Sequence, residues 1–344
     1  MSEDIDIRIE GRAGRITLTR PEALNALSYQ MCLDIEAALD AWAMDDAVSL
    51  VMIDAEGERA FCAGGDIQEM YETGMAGDFA YGRKFWADEY RMNAKMFAFP
   101  KPVVTFLHGF TMGGGVGIGC HGSHRIVGES SLIAMPEVGI GLVPDVGGTL
   151  LLSRAPGRLG EYLGLTASRM GPGDAIHAEF ADFFVPEAGW DALKAELLGG
   201  AWEAVDRAAQ TPPESALAAQ QAEIDHLFGG EGLRDVLVDI AHAPSEFGDK
   251  ALQVMGRNSP LAMACTIELV HRARMHDNIV RALQNEYRFT ARAMEHGDFL
   301  EGIRAAIIDK DRSPTWKHSA AKDVALVEVA AMLQPLGPDE WRMT

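Results

Sequence analysis

Cysteine is scarce in this chain: Cys32, Cys62, Cys120 and Cys265 are the only four, with no Cys-x-x-Cys pair. That argues against a disulfide framework or a thiolate zinc site and fits a reducing compartment. Positive charge is also in deficit, with 30 Lys+Arg against 51 Asp+Glu and a formal net charge of −21. A surface this acidic repels nucleic acid and anionic lipid, so neither is expected as a partner. An anionic ligand must then be held by local groups against the global field. No Gly-Lys-Ser/Thr, His-Glu-x-x-His or Gly-x-Ser-x-Gly occurs, so P-loop, zincin and nucleophile-elbow chemistries drop out. The histidines show no metal spacing. The longest charge-free run, Pro102 to His124, is broken by seven glycines and three histidines, which a spanning helix would not carry. The opening Met1-Ser-Glu-Asp-Ile-Asp is acidic, unlike a secretory or Arg-rich transit leader, and the expectation is a cytoplasmic protein without membrane segments.

What the chain does contain is alternation. Arg15-Ile-Thr-Leu-Thr-Arg20, Val48–Asp54, Pro102–His108 and the short Arg125–Val127 read as strands. Between the first two, Ser28 is a good N-cap for a helix with Met31, Ile35, Leu39 and Trp42 on one face. Asp66 or a near neighbour opens another helix. Strands separated by helices imply parallel pairing through crossovers, so residues 1–185 form an α/β core. From Pro186 the composition turns to Ala, Glu, Asp and Leu, broken by Pro212-Pro213, and Asp277 is expected to cap a helix with Ile279, Leu283, Tyr287, Ala291 and Met294 on one face, closed by Gly297. Residues 186–344 are therefore expected to be a helical C-terminal region.

Four segments could carry chemistry: Phe61-Cys-Ala-Gly-Gly-Asp66, Met112-Gly-Gly-Gly-Val-Gly117, Met135-Pro-Glu137 and Val143-Pro-Asp145-Val-Gly-Gly148. A glycine run between strand and helix leaves backbone N–H groups uncovered, and at a helix start they carry the positive end of the dipole. Two such loops together offer two N–H groups to one developing oxyanion; taken singly, each also reads as a tight turn. Glu137 and Asp145 each follow a proline in an otherwise apolar stretch, where an unpaired carboxylate is costly. They read equally as an acid/base pair or as a solvated loop acid and a turn residue. Gly117-Ile-Gly-Cys-His-Gly122 matches the dinucleotide fingerprint letter for letter, but the turn after the preceding strand comes earlier, so the match falls inside the helix. His108 and His121 flank the glycine run and read as buried, satisfied histidines. Cys62 is explained better by its small size than by nucleophilicity.

In combination and in this order, these segments resemble the crotonase (enoyl-CoA hydratase/isomerase) superfamily, and within it the branch of 3-hydroxyisobutyryl-CoA hydrolases. Arg20-Pro-Glu-Ala-Leu-Asn-Ala-Leu27 is similar to the family's CoA-contacting turn, Phe61–Ile67 to its first oxyanion loop and Met112–Gly117 to its second. The likeness continues through Glu89-Tyr90, Met135–Glu137, Pro144–Gly148, Asp298–Arg304 and Asp309–Trp316. It implies a crotonase-like ββα spiral core with a helical C-terminal region, and an oxyanion hole formed by the N–H groups of Gly65 and Gly114. Glu137 and Asp145 would be the catalytic carboxylates, and Glu89 would lie beside the substrate.

The branch is read from one substitution. Hydratases of this family carry a glutamate three residues after the middle glycine of the second loop, where this chain has Gly117. Glycine can neither hold a water nor move a proton. The second family glutamate survives as Glu137, and Asp145 adds a carboxylate where hydratases have a small residue. The resemblance therefore implies hydrolysis of a short 3-hydroxyacyl-CoA thioester, as in valine degradation. It implies an acyl-CoA substrate, no metal or redox cofactor, and homo-oligomers such as trimers. Arg20, Arg59, Lys101 and Lys310 are the candidate cations for the CoA phosphates. Double-bond isomerisation, a nicotinamide-dependent oxidoreductase and a non-catalytic CoA-ester binder are the competing readings.

Overall fold

The computed structural model describes residues 3–343. In it the chain forms two units, each compact in itself and each drawn from several stretches of sequence. The first unit comprises residues 1–66, 88–134 and 169–218, the second 67–87, 135–168 and 219–344.

All the strands of the described residues lie in the first unit: β1 (Ile5–Glu10), β2 (Ala13–Leu18), β3 (Leu50–Ala55), β4 (Ala60–Cys62), β5 (Val103–Leu107), β6 (Phe110–Met112), β7 (His124–Val127), β8 (Leu132–Ala134) and β9 (Phe183–Phe184). One sheet has the order β1-β2-β3-β5-β7-β9, the other β4-β6-β8. Apart from the antiparallel β1/β2 hairpin every pair is parallel, with Ile16 opposite Ile53 and Thr105 opposite Arg125 in the large sheet. From β3 onward, successive strands alternate between the two sheets. The repeat is strand, strand, helix: β5, β6, then α4. This is the ββα spiral that the resemblance implied. The expected strands are present, with ends shifted by one to two residues. The glycine run is fed by β6, not directly by β5, and the three-residue strands β4, β6 and β8 escape a sequence reading because they are too short for alternation to register.

The helices of the first three helical crossovers are α1 (Tyr29–Ala43), the pair α2 (Gln68–Met75) and α3 (Ala80–Phe97), and α4 (Gly114–Gly119). Ser28 caps α1 as expected, its hydroxyl accepting from Met31 N at 3.3 Å. β3 and β5 are buried over nearly their whole length, as strands of a parallel sheet covered on both faces must be. On one face, Leu50, Met52, Val104 and Phe106 meet Trp190, Leu193 and Leu197 of a helix from Trp190 to Leu198. The acid at the end of β3, Asp54, is buried but clasped by Arg15 (2.7 Å), Lys194 (2.9 Å) and the Thr17 hydroxyl (2.8 Å). Burial alone would raise its pKa; these partners hold it below the ordinary carboxylate range.

The second unit is helical. α5 (Gly148–Arg154) and α6 (Leu159–Thr166) pack on a helix from Pro260 to Arg274, and α5 also on one from Ile279 to His296. The last of these begins one residue later than expected. Asn278 is its cap, accepting from Arg281 N at 3.0 Å, while Asp277 pairs with Arg154 at 2.7 Å. The compositional change near Val185 marks where the strands end. Compactness divides the chain otherwise, because residues 67–87 and 135–168 pack with the late helices. No helix among the described residues is long and apolar enough to cross a membrane.

Candidate active site

The first glycine loop leaves β4 and is laced to the turn before α1. Ala63 N donates to Leu24 O (3.0 Å), Leu27 N to Gly64 O (2.8 Å) and Asp66 N to Leu27 O (2.9 Å). That turn places Leu24 and Asn25 at positive φ. The buried Asn25 side chain ties it together, accepting from Arg20 N and donating to the carbonyls of Glu56 and Ala60, each at 2.9 Å. Arg20 is engaged in the same knot through Ala26 O (3.1 Å) and Asp66 (3.2 Å). A side-chain amide that crosses this many backbone groups explains why the Arg20–Leu27 stretch carries so much of the family likeness.

The second loop enters α4 through Gly113, at φ 50° and ψ −120°, a conformation closed to residues with a Cβ. Its first residue, Gly114, lies against the first loop: a Cβ there would stand 3.3 Å from Gly65 N. The first-turn amides of a helix have no intrahelical acceptor. Gly65 and Gly114 are thus brought together as two backbone donors, and Glu89 joins them. It is buried on α3, and its Oε1 is 3.2 Å from that same Cβ position. α3 is fixed on α1 by Arg91, which binds Glu36 (2.6 and 2.7 Å) and Asp88 (2.8 Å), and by the Tyr29 hydroxyl on Asp88 (2.6 Å).

Cys62, inside the first loop, is no nucleophile. Burial, with the Glu89 charge adding to it, pushes its thiol up to about 12, and Sγ donates to Gly64 O at 3.5 Å. His108 is buried beside Trp190, and burial together with Lys194 keeps its pKa below the ordinary value. His121 is buried edge-on to Phe97. The dinucleotide-like Gly117–Gly122 starts inside α4 and runs past its end, so it offers no strand-to-helix phosphate turn.

The two predicted carboxylates are in the second unit, and both are 4% exposed. A solvated loop acid at Glu137 is thereby excluded. Glu137 opens a 3-10 turn to Ile140 that closes at Gly141, φ 75°. Ser259 N donates to Val138 O (2.9 Å), and a Cβ on Gly302 would stand 2.0 Å from Ile140 O. The late stretch Asp298–Arg304 therefore buttresses the backbone that carries Glu137, and this accounts for its share in the resemblance. Asp298 is itself tied to the Ser259 hydroxyl (2.6 Å) and Lys317 N (2.8 Å).

Asp145 precedes Val146 and Gly147, both at positive φ (52° and 80°), and its carbonyl accepts from Gly148 N at 2.6 Å. α5 starts there, and its first turn is held by a residue that sequence reasoning missed. Glu286, fully buried, accepts from Gly147 N (2.8 Å), Thr149 N (3.0 Å) and the Thr149 hydroxyl. Burial pushes its carboxyl up to about 8; the Asp145 charge adds to the rise, while Thr149 and Gly147 oppose it. A signal existed: Glu286 stands seven residues after Ile279 and three after Leu283, on the apolar face of its helix.

Of the candidate phosphate-binding cations, Lys101 donates to the carbonyls of Trp42 (2.6 Å) and Asp45 (2.7 Å). With Arg20 tied into its loop, both serve the fold.

A model of the enoyl-CoA hydratase/isomerase family matches residues 13–333. The mitochondrial 3-hydroxyisobutyryl-CoA hydrolase of Danio rerio is 36% identical, over 92% of this chain and 85% of its own. That of Gallus gallus is 34% identical over 99% and 91%. Among solved structures, an enoyl-CoA hydratase from Rhodobacter sphaeroides 2.4.1 is 56% identical with a TM-score of 0.95, covering 99% of this chain and 100% of its own. A carnitinyl-CoA dehydratase from Mycobacterium thermoresistibile is 38% identical with a TM-score of 0.94, covering 99% of both. The hydrolases are mitochondrial by name, which overturns the expectation of a cytoplasmic location. Reduced cysteines and an acidic surface suit any reducing compartment, so composition does not separate one from another.

Proposed function

The chain belongs to the enoyl-CoA hydratase/isomerase family, and from that premise we propose that it hydrolyses a short 3-hydroxyacyl-CoA thioester, with 3-hydroxyisobutyryl-CoA as the leading substrate. The observation that carries this reading is Gly117 in α4, at the position of the hydratase glutamate, alongside a retained Glu137 and an added Asp145. Addition of water across a double bond needs an acid and a base on the two carbons; hydrolysis needs one activated attack on a polarised carbonyl. The relatives named as hydrolases, alike over most of both chains, support the same reading.

In this mechanism the N–H groups of Gly65 and Gly114 hold the thioester oxygen as it gains charge, a contribution in which each donor is worth about 10²- to 10³-fold in rate. Glu137 acts on the carbonyl carbon, either as nucleophile, displacing the CoA thiolate to give an anhydride that water then opens, or as base for water that attacks the carbonyl and displaces the thiolate directly. Asp145 orients the water or the substrate hydroxyl, or protonates the departing thiolate. Glu89, beside the oxyanion loops, meets the 3-hydroxyl group. Of the candidate cations for the CoA phosphates, Arg20 and Lys101 are engaged by backbone carbonyls. The reaction calls for no metal or redox cofactor, because CoA is part of the substrate. The family likeness joins these residues in one reaction.

Hydration is the second reading, favoured by the 56% identical structure described as an enoyl-CoA hydratase. Two assays on purified protein separate them. Release of thiol from 3-hydroxyisobutyryl-CoA, followed with a thiol-reactive dye, with no loss of crotonyl-CoA absorbance, establishes the hydrolase. Loss of crotonyl-CoA absorbance without thiol release overturns it.

A further inference from the structure

Glu286 has no part in the mechanism above, yet it is a carboxyl group sunk completely into the second unit with three donors aimed at it. A fully buried acid at this cost must secure something, and what it touches is the turn that carries Asp145. Val146 and Gly147 both sit at positive φ, a conformation that a valine adopts only when its surroundings impose it. The Gly147 and Thr149 amides that Glu286 binds lie immediately after Val146. We propose that Glu286 is the positioning residue of Asp145: it clamps the Val146–Gly147 turn and so keeps the Asp145 carboxyl in one orientation. The proposal rests on the reading that Asp145 takes part in the reaction.

The clamp works in two protonation states. As a carboxylate, Glu286 accepts from both amides and from the Thr149 hydroxyl. With a proton on Oε1 it keeps Gly147 N–H on Oε2, and the Thr149 hydroxyl turns to accept that proton's hydrogen bond; a hydroxyl can serve either way. The chief charge that acts on the Glu286 carboxyl is that of Asp145, and its hydrogen-bond donors are the Thr149 hydroxyl and the Gly147 and Thr149 amides. Loss of the Glu286 proton therefore places a negative charge in the buried region that holds the Asp145 turn. Titration of Glu286, at about 8, then shows in the reaction as an alkaline inflection that belongs to the pair.

The test uses Glu286→Gln and Thr149→Val in the full chain. Glutamine keeps the size but cannot accept from both amides, because its two positions hold one oxygen and one nitrogen. For Glu286→Gln the expected result is a kcat lower by about tenfold or more, a KM close to wild type, and no alkaline inflection in the kcat profile. Hydrogen exchange of the peptide spanning residues 144–150 accelerates. Thr149→Val removes a hydrogen bond that favours the carboxylate, so it moves the inflection to higher pH; this variant carries the test if Glu286→Gln does not fold. A folded variant whose kcat–pH profile superimposes on wild type overturns the proposal, as does a rise in KM with kcat unchanged. The profiles are recorded on 3-hydroxyisobutyryl-CoA and on crotonyl-CoA. Lack of thiol release by the wild type overturns the hydrolase reading alone, and an unaltered profile on the substrate that is turned over overturns this one alone.

Discussion

Neighbouring glycines at the start of α4 should respond to alanine in opposite ways. An added Cβ at Gly115 would stand 2.1 Å from the Cys62 carbonyl oxygen, a backbone atom that cannot retreat without parting α4 from β4. At Gly114 it would meet Glu89 Oε1 at 3.2 Å and Gly65 N at 3.3 Å, contacts relieved by shifts of a few tenths of an ångström. Alanine in a helix is favoured over glycine by up to about 1 kcal/mol, so Gly114→Ala should melt at or above the wild-type temperature. Gly115→Ala should lose roughly 1–3 kcal/mol or more to overpacking. Activity runs the other way. An oxyanion held by the Gly65 amide sits about 2.9 Å from that nitrogen, and the new methyl crowds the same place. Loss of one such donor costs about 10²- to 10³-fold in kcat, or ~3–4 kcal/mol of transition-state stabilisation. Thermal unfolding, thioester cleavage kinetics and calorimetric CoA-ester binding together separate these effects. A Gly114→Ala enzyme with kcat within about threefold of wild type would refute the assignment of these amides as the oxyanion hole.

Glu137→Gln should lower turnover by about 10²- to 10⁴-fold while CoA-ester binding, measured by calorimetry, persists; near-normal rates would remove Glu137 from the mechanism. The buried Glu161 gives a pH prediction. Burial alone would raise its pKa, but His271 (3.2 Å), Arg274 (2.6 Å) and Arg158 (3.0 Å) bring it down to about 2 from 4.5. A lowered folded-state pKa means stabilisation that is present above pH 4.5 and lost as pH falls towards 2, on the order of 3 kcal/mol in all. Urea unfolding of wild type and Glu161→Gln across that window should show a steeper acid loss in the wild type, and parallel curves would contradict it.

Much of the candidate site was legible because the loops that carry it depend on glycine and proline. Gly113 is required by a positive φ and Gly115 by a backbone contact, demands that no other residue type meets, so the run stands out in a sequence. Glu137 and Asp145, each after a proline in an apolar stretch, read equally as an acid/base pair or as a loop acid and a turn residue, and only their burial removed the solvated reading. Glu286 was hidden for the opposite reason. A single acid in an amphipathic helix normally faces water, and only the packing of that helix on α5 turns it inward. The Asn25 contacts to Glu56 and Ala60 and the Glu36–Arg91 pair were equally silent, since these partners lie tens of residues apart in the chain.

By itself the sequence determined what depends on local chemistry: parallel strands from apolar runs separated by helices, glycine loops with open amides, the absence of a carboxylate at Gly117, and the family to which these belong. Only the tertiary structure decided the rest. It set Gly65, Gly114 and Glu89 side by side, buried Glu137 and Asp145, left Cys62 as an inert thiol, and put Glu286 under the Asp145 turn. Each of these is a property of burial and of contacts between segments distant in sequence. The energies that fix them, desolvation above all, exist only once the chain has folded around the group.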